Sequence, residues 1–188
     1  MTDDPTAAPI NRPRRQDRTV EDPAWIENFL SRASYGSLAT VKDDQPFINT
    51  NLFVYAPDRH AIYLHTAREG RTRLNIEANP RVCFSVSEMG HLLPATTALE
   101  FSVEYAGVMV FGTAQVVSDP AEARDGLQRL LDKYFAQFQP GRDYRAIQPE
   151  ELARTAVYRI DIESWSAKRK AVPADFPGAF FYGQQDKD

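Results

Sequence analysis

Apolar and polar positions alternate or recur in a pattern that divides the chain into a few helices and many strands. Asp22-Pro23 is a helix N-cap followed by proline at the first helical position, and Trp25, Ile26, Phe29, Leu30 and Ala33 fall on one face. This predicts a short amphipathic helix packed onto whatever follows. Gly36 to Val41 and Pro46 to Tyr55 alternate β-branched or aromatic residues with polar ones around a polar turn at Lys42 to Gln45, which predicts a hairpin. Ala61 to Thr66 and Arg81 to Ser87 read as two further strands, separated by a short helix over Arg71 to Ala78 that stops at Asn79-Pro80. After a loop holding His91 to Pro94, Phe101 to Val117 is long enough for one bent strand or two, with Gly107 and Gly112 marking bulges or close approaches.

Asp119-Pro120-Ala121-Glu122 opens the clearest helix, in which Leu127, Leu130, Leu131, Tyr134, Phe135 and Phe138 recur at helical spacing and predict a core-facing stripe. Pro149-Glu150-Glu151 opens one more helical turn, and Ala156 to Ile162 closes the pattern with an alternating strand. About six strands joined by short turns leave little room for crossover helices. The expected class is therefore mainly β, an antiparallel sheet or barrel decorated by helices.

Composition narrows the function classes. The 188 residues carry 22 Lys+Arg against 26 Asp+Glu, a net charge of −4, so no global positive field attracts nucleic acid or anionic lipid. A single cysteine excludes an intrachain disulfide, a redox pair and a thiolate zinc cage within one subunit. A cytoplasmic setting is expected, with no apolar run long enough to span a membrane. Residues 1–21 combine three prolines and four arginines with no aromatic residue, which predicts a disordered arm before a domain over residues 22–170. Residues 171–188 form a tail whose Phe176 to Tyr182 segment is too aromatic to stay solvated, and exchange across a dimer interface is the expected arrangement.

The feature richest in chemistry is the turn His65-Thr66-Ala67-Arg68-Glu69-Gly70-Arg71-Thr72-Arg73. A phosphate needs converging N–H groups, an approach free of a β-carbon and a delocalised cation, and a glycine followed by arginine at a helix start supplies all three. Gly70 and Arg71 are the leading phosphate ligands, with Thr72 adding a hydroxyl. His60 is expected in a solvent-exposed turn and His91 in a loop, and three scattered histidines form no metal motif. Cys83, between Val82 and Phe84, is expected to be a small buried hydrophobe.

The stretch YLHTAREGRTRLNIEANPRVCFSVSE resembles the central segment of the pyridoxamine 5′-phosphate oxidase-like FMN-binding split-barrel superfamily. The run SEMGHLLPATTALEFSVEYAGVMVFGTAQVV, with WSAKRK near the C-terminus, is similar to the Nim-type 5-nitroimidazole reductase branch. The resemblance covers about Pro23 to Lys168 and implies a six-stranded antiparallel split barrel, a homodimer and FMN in a cleft between subunits. It implies Thr66, Gly70, Arg71 and Thr72 on the FMN phosphate and ribityl chain, and Asn49, Thr50, Asn51 and Leu52 along the flavin ring. Trp165 and Lys168 match the closing Trp-x-x-Lys and are expected near the flavin or substrate, where a cation stabilises reduced flavin. His65 occupies the position of a histidine beside the cofactor cleft and is the expected proton donor or flavin orienter. Tyr105, Phe111 and Trp165 are candidate walls of an acceptor slot.

The chain departs from the family pattern in three places. Arg71 is followed by Thr72 rather than a second basic residue, leaving Arg73 or another group to compensate. Tyr105-Ala106-Gly107-Val108 stands where Tyr-Arg-Ser-Val is expected, and Ala167 replaces a glycine. The resemblance implies an FMN-dependent oxidoreductase reducing a small acceptor such as a nitroimidazole or nitroaromatic compound. A flavin carrier or sensor without turnover, a pyridoxamine 5′-phosphate oxidase, and a deazaflavin- or heme-binding barrel remain open alternatives.

Overall fold

The computed structural model describes residues 9–184. Seven strands form one antiparallel sheet: β1 (Gly36–Lys42), β2 (Gln45–Asn51), β3 (Phe53–Ala56), β4 (Ala61–Ala67), β5 (Arg81–Leu93), β6 (Ser102–Val116) and β7 (Thr155–Lys170). Their order across the sheet is β2-β1-β5-β6-β7-β4-β3, so the first hairpin lies at one edge and β3 at the other. Among the described residues four α-helices accompany it: α1 (Pro23–Arg32), α2 (Arg71–Ala78), α3 (Pro120–Tyr134) and the single turn α4 (Pro149–Leu152).

The expected count of six strands becomes seven because the run Pro46 to Tyr55 is two strands. β2 pairs with β1 as far as Asn51, Leu52 has no ladder partner, and β3 then pairs with β4 from Phe53 onward. The sheet therefore curls without closing, and its two edges meet at Leu52. The break leaves no trace in the alternation, because Phe47, Asn49, Asn51, Phe53 and Tyr55 keep the same inward phase on both sides of it. β5 also outruns expectation, continuing through the region read as a loop to Leu93 with a register shift between Met89 and Leu92. Gly112 sits at the β6–β7 irregularity, where an added Cβ would lie 2.0 Å from the Asp161 carbonyl oxygen; only glycine permits that approach.

The main core lies inside the curled sheet, with Leu38, Phe53, Leu64, Phe84, Val108, Tyr158 and Ile160 packed against Ile26, Phe29 and Leu30 of α1. Asp22 caps α1 by accepting the Ala24 N–H, as its sequence position predicts. A second cluster on the outer face joins Ala61, Tyr63 and Val157 to Ala123 of α3. Asp119 caps α3, whose buried residues are Ala123, Gly126 and Leu130. The stripe expected to be core is only partly so: Phe135 and Phe138 lie beyond the last helical turn and are about half exposed.

Residues 1–8 of the expected arm lie outside the described residues. Residues 9–21 run beside β7, where Val20 N–H donates to the Ala167 carbonyl (3.0 Å), Thr19 bridges Lys168 and Arg18 donates to the Tyr105 hydroxyl (3.2 Å). At the other end, the aromatic tail returns to its own β5. Leu92 and Phe180 exchange two backbone hydrogen bonds, and the Phe181 ring lies 4.0 Å from that of His91. Glu104 ties this corner by accepting from Val172 N–H (2.8 Å) and pairing with His91 (2.7 Å), which holds its pKa down to about 2. Among the described residues no helix is long and apolar enough to cross a membrane.

Candidate functional site

The turn between β4 and α2 has the form expected of an anion site. Gly70 is the N-cap of α2 and makes no side-chain cap, so the first-turn N–H groups of the helix are left without one. Its φ of +152° is a conformation that L-residues rarely adopt, and an added Cβ would meet nothing within 4 Å, so the turn is open on that side. Arg71 is exposed, and no carboxylate among the described residues pairs with it. Arg73 is committed elsewhere: it bonds Glu77 (2.7 Å) and the Arg68 carbonyl (3.2 Å). Arg71 is thus the cation of the turn available to a ligand.

Hydroxyl and amide groups gather beside this turn. Asn49 of β2 donates to the Thr72 hydroxyl (3.1 Å), tying the strand edge to the helix start. Asn51 turns back to donate to the Asn49 carbonyl (3.1 Å). Thr66 shares a hydrogen bond with the buried Tyr158 hydroxyl (3.0 Å). Beneath them Asn75, almost fully buried, donates to Thr40 (2.9 Å), and its Oδ1 has no partner among the described residues. A set dominated by donors, with one unpaired guanidinium and the open end of a helix, fits a phosphate ester. Thr40, Asn75 and Tyr158 escaped sequence reading because strand and helix periodicity count them as core. The one available signal was Asn75, an amide in mid-helix where that residue has poor propensity.

The other expected residues divide according to the pleat. Successive strand residues face opposite sides, so Asn49 and Asn51 face α2 while Thr50 bonds Ser37 (3.0 Å) on the outer face of β1. In the same way Thr66 faces the barrel interior while His65 faces α3. His65 and Leu52 meet in a groove of about 320 Å³ whose floor is Leu127, Leu130, Leu131 and Tyr134 of α3, with Phe135, Tyr144 and Ile147 completing the wall. The His65 ring retains access to solvent, but these neighbours remove enough water to lower its pKa below the ordinary imidazole value. Arg145 and Glu151, an ion pair at 3.1 Å, stand at the rim.

Trp165 and Lys168 do not join either cluster. The β7 partner of Thr66 is Ala156, leaving roughly 30 Å of extended strand, at ~3.3 Å per residue, before Trp165. Trp165 instead stacks edge-on against His60 (4.8 Å) near Tyr55 (6.5 Å), so His60 is part of an aromatic corner as well as a turn. Lys168 and Tyr105 line a separate groove with Arg12 and Arg14. Phe111 lies across from Ser164 on the sheet, so the three candidate walls do not form one slot within a chain. Burial raises the pKa of Cys83. Among the described residues no group of three or more His, Cys, Asp or Glu side chains is placed to hold a metal ion.

Comparison with known proteins places this geometry in a family. The pyridoxamine 5′-phosphate oxidase model matches residues 22–169. No curated protein matches the chain. Among solved structures, the flavocytochrome Anf3 from Azotobacter vinelandii is similar at 22% identity and TM-score 0.73, over 86% of this chain and 73% of that one. An FAD- and heme-binding protein from Mycobacterium smegmatis is similar at 23% identity and TM-score 0.73, over 82% and 74%. A candidate 5-nitroimidazole antibiotic resistance protein from Bacteroides thetaiotaomicron is similar at 20% identity and TM-score 0.67, over 80% and 86%. At these identities the likeness is one of fold. The family match runs from the cap of α1 almost to the end of β7, through the Gly70 turn and every strand of the sheet, and the chain belongs to the pyridoxamine 5′-phosphate oxidase family.

Proposed function

We propose that this protein is an FMN-dependent oxidoreductase that reduces a small planar acceptor of the nitroimidazole or nitroaromatic class. The observation that carries the reading is the open start of α2, where Gly70 and the unpaired Arg71 stand beside the Asn49–Thr72 hydrogen bond. Gly70, Arg71, Thr72 and Thr66 would hold the phosphate and ribityl chain. When bound, FMN supplies a two-electron carrier of the kind that flavin- and heme-named structures of this fold also contain. The family match supports a flavin and FMN as its form, and the Nim-type motifs, with the fold shared with the Bacteroides thetaiotaomicron protein, support a nitro acceptor.

His65 and the groove around it serve the acceptor. Leu131, Phe135 and Ile147 exclude water, and Leu52 offers an apolar face. An imidazole with a lowered pKa gives up a proton readily once protonated, the property wanted in a proton donor to a reduced acceptor. A second copy of the chain completes the site. Trp165 and Lys168 lie too far along β7 to reach the phosphate turn of their own subunit, and the outer sheet face leaves Tyr35, Val41, Ile48, Met89 and Met109 exposed. Packing this face on its twin would bring Lys168, which lines a groove with Tyr35, Met89 and Met109, toward the partner's site, whereas Trp165 packs against the core of its own subunit.

The test is the visible absorbance of the purified protein with and without added FMN, with native mass measurement on the same sample. Flavin bands at one FMN per chain in a dimer support the proposal. A monomer that ignores FMN removes it.

A further inference from the structure

α3 ends in two residues whose polar atoms turn inward. Lys133 Nζ donates to the Phe53 carbonyl (2.9 Å) and reaches the Leu30 carbonyl in the last turn of α1 (3.5 Å), with the Phe53 ring 3.9 Å away. No carboxylate among the described residues faces this ammonium, and desolvation lowers its pKa to about 8. The Tyr134 hydroxyl accepts the Phe53 N–H (3.1 Å) and lies within hydrogen-bond distance of the Ser34 (2.8 Å) and Phe53 (2.9 Å) carbonyls. A phenol has one proton to give, and Lys133 already supplies the Phe53 carbonyl, so the Tyr134 proton goes to Ser34.

These contacts sit at the split in the barrel. Phe53 is the first residue of β3 after the unpaired Leu52, and Ser34 precedes β1, so the phenol bridges the two sides where a ladder hydrogen bond would have closed the sheet. An apolar pair would pack here without burying an ammonium, yet it would leave the backbone groups of Phe53 unanswered. Leu52 follows from this arrangement: held by its neighbour, it is pushed out of the sheet and into the groove beside His65.

We propose that Lys133 and Tyr134 are positioning residues, a clasp across the split that holds Leu52 against His65 and sets the shape of the groove. That the groove receives an acceptor rests on the flavin reading; the clasp itself does not. The experiment follows the His65 imidazole by NMR titration in the full chain and in Tyr134→Phe, Lys133→Met and Ile160→Val, the last a one-methyl truncation of the core on β7 that removes no hydrogen bond. In both clasp variants His65 titrates higher than in the wild type, toward the ordinary value near 6.5, because water enters the loosened groove. Ile160→Val leaves it unchanged. With FMN added, the Kd for 2-methyl-5-nitroimidazole rises about fivefold in each clasp variant, the loss of one hydrogen bond's worth of positioning. An unchanged His65 titration in both clasp variants, whatever happens to their stability, overturns the proposal. A moved titration with no protein binding 2-methyl-5-nitroimidazole keeps the clasp and removes the acceptor reading.

Discussion

His65 and Thr66 are neighbours in the chain, yet the pleat of β4 sends them into different surroundings. Thr66 enters a polar compartment where hydroxyls, amides and the start of α2 meet, tied by Asn49–Thr72, Thr66–Tyr158 and Asn75–Thr40. His65 enters an apolar groove floored by leucines of α3, where its imidazole makes no hydrogen bond among the described residues. The two compartments also differ in how their helices are finished. α3 is capped by Asp119, whereas α2 begins at a glycine with no cap, leaving its N–H groups for a ligand. One side offers hydrogen-bond donors at an open helix start, and the other excludes water around a titratable ring. A contiguous motif thus feeds two chemically different surroundings because a strand has two faces, and under the proposed function these serve two tasks.

Separate tasks predict separable defects. The largest is expected for His65→Ala, which lowers acceptor turnover about 100-fold, the usual scale for a lost proton donor, while FMN affinity stays within about twofold. Steady-state kinetics beside a flavin fluorescence titration check both halves; equal losses in the two assays would merge the compartments. Arg71→Ala has the opposite signature: the Kd for FMN rises about 10- to 100-fold, corresponding to a charge-assisted contact of about 1.5–3 kcal/mol, with no change in melting temperature because the side chain is exposed.

Stability sharpens the same contrast. Thr40→Val removes the acceptor of the buried Asn75 amide and costs about 1–3 kcal/mol in urea denaturation. Asp119→Ala strips the α3 cap at a cost of about 1 kcal/mol. The smallest effect is in pH. The folded His65 has a pKa below its unfolded value, so on acidification the unfolded chain takes up the proton first. Its contribution to stability is complete above pH 6.5 and declines as pH falls from there through the folded pKa. Urea midpoints at pH 8 and pH 5.5, compared between wild type and His65→Gln, should show a shallower decline in the variant. Glu104 acts lower, its contribution being lost from about pH 4.5 as pH falls through about 2, so the two windows are distinct.

Much of the architecture was legible locally. The caps at Asp22 and Asp119, the stop at Asn79-Pro80 and the alternation of the strands are short-range signals, and the structure follows them. The hairpin turn was legible too: Asp43 and Asp44 both take the left-handed conformation that a two-residue connection requires. The break at Leu52 was not, because the chain changes ladder partner without changing phase. The burial of Phe135 and Phe138 was overestimated because helical spacing continues past Tyr134, where the helix itself stops.

The candidate site shows the same division. Gly70, Arg71 and Thr72 are adjacent in the chain and remain adjacent in space, since a turn leading into a helix is local structure. Asn49 joins them only through the curl of the sheet, and Leu52 meets His65 only because α3 packs across the split. The chain alone determined its strands, its helix starts and the open Gly70 turn, each set by interactions a few residues apart. The tertiary structure decided which strand faces share a compartment, where the sheet opens and how Lys133 and Tyr134 bridge it, because those depend on long-range packing that periodicity does not record.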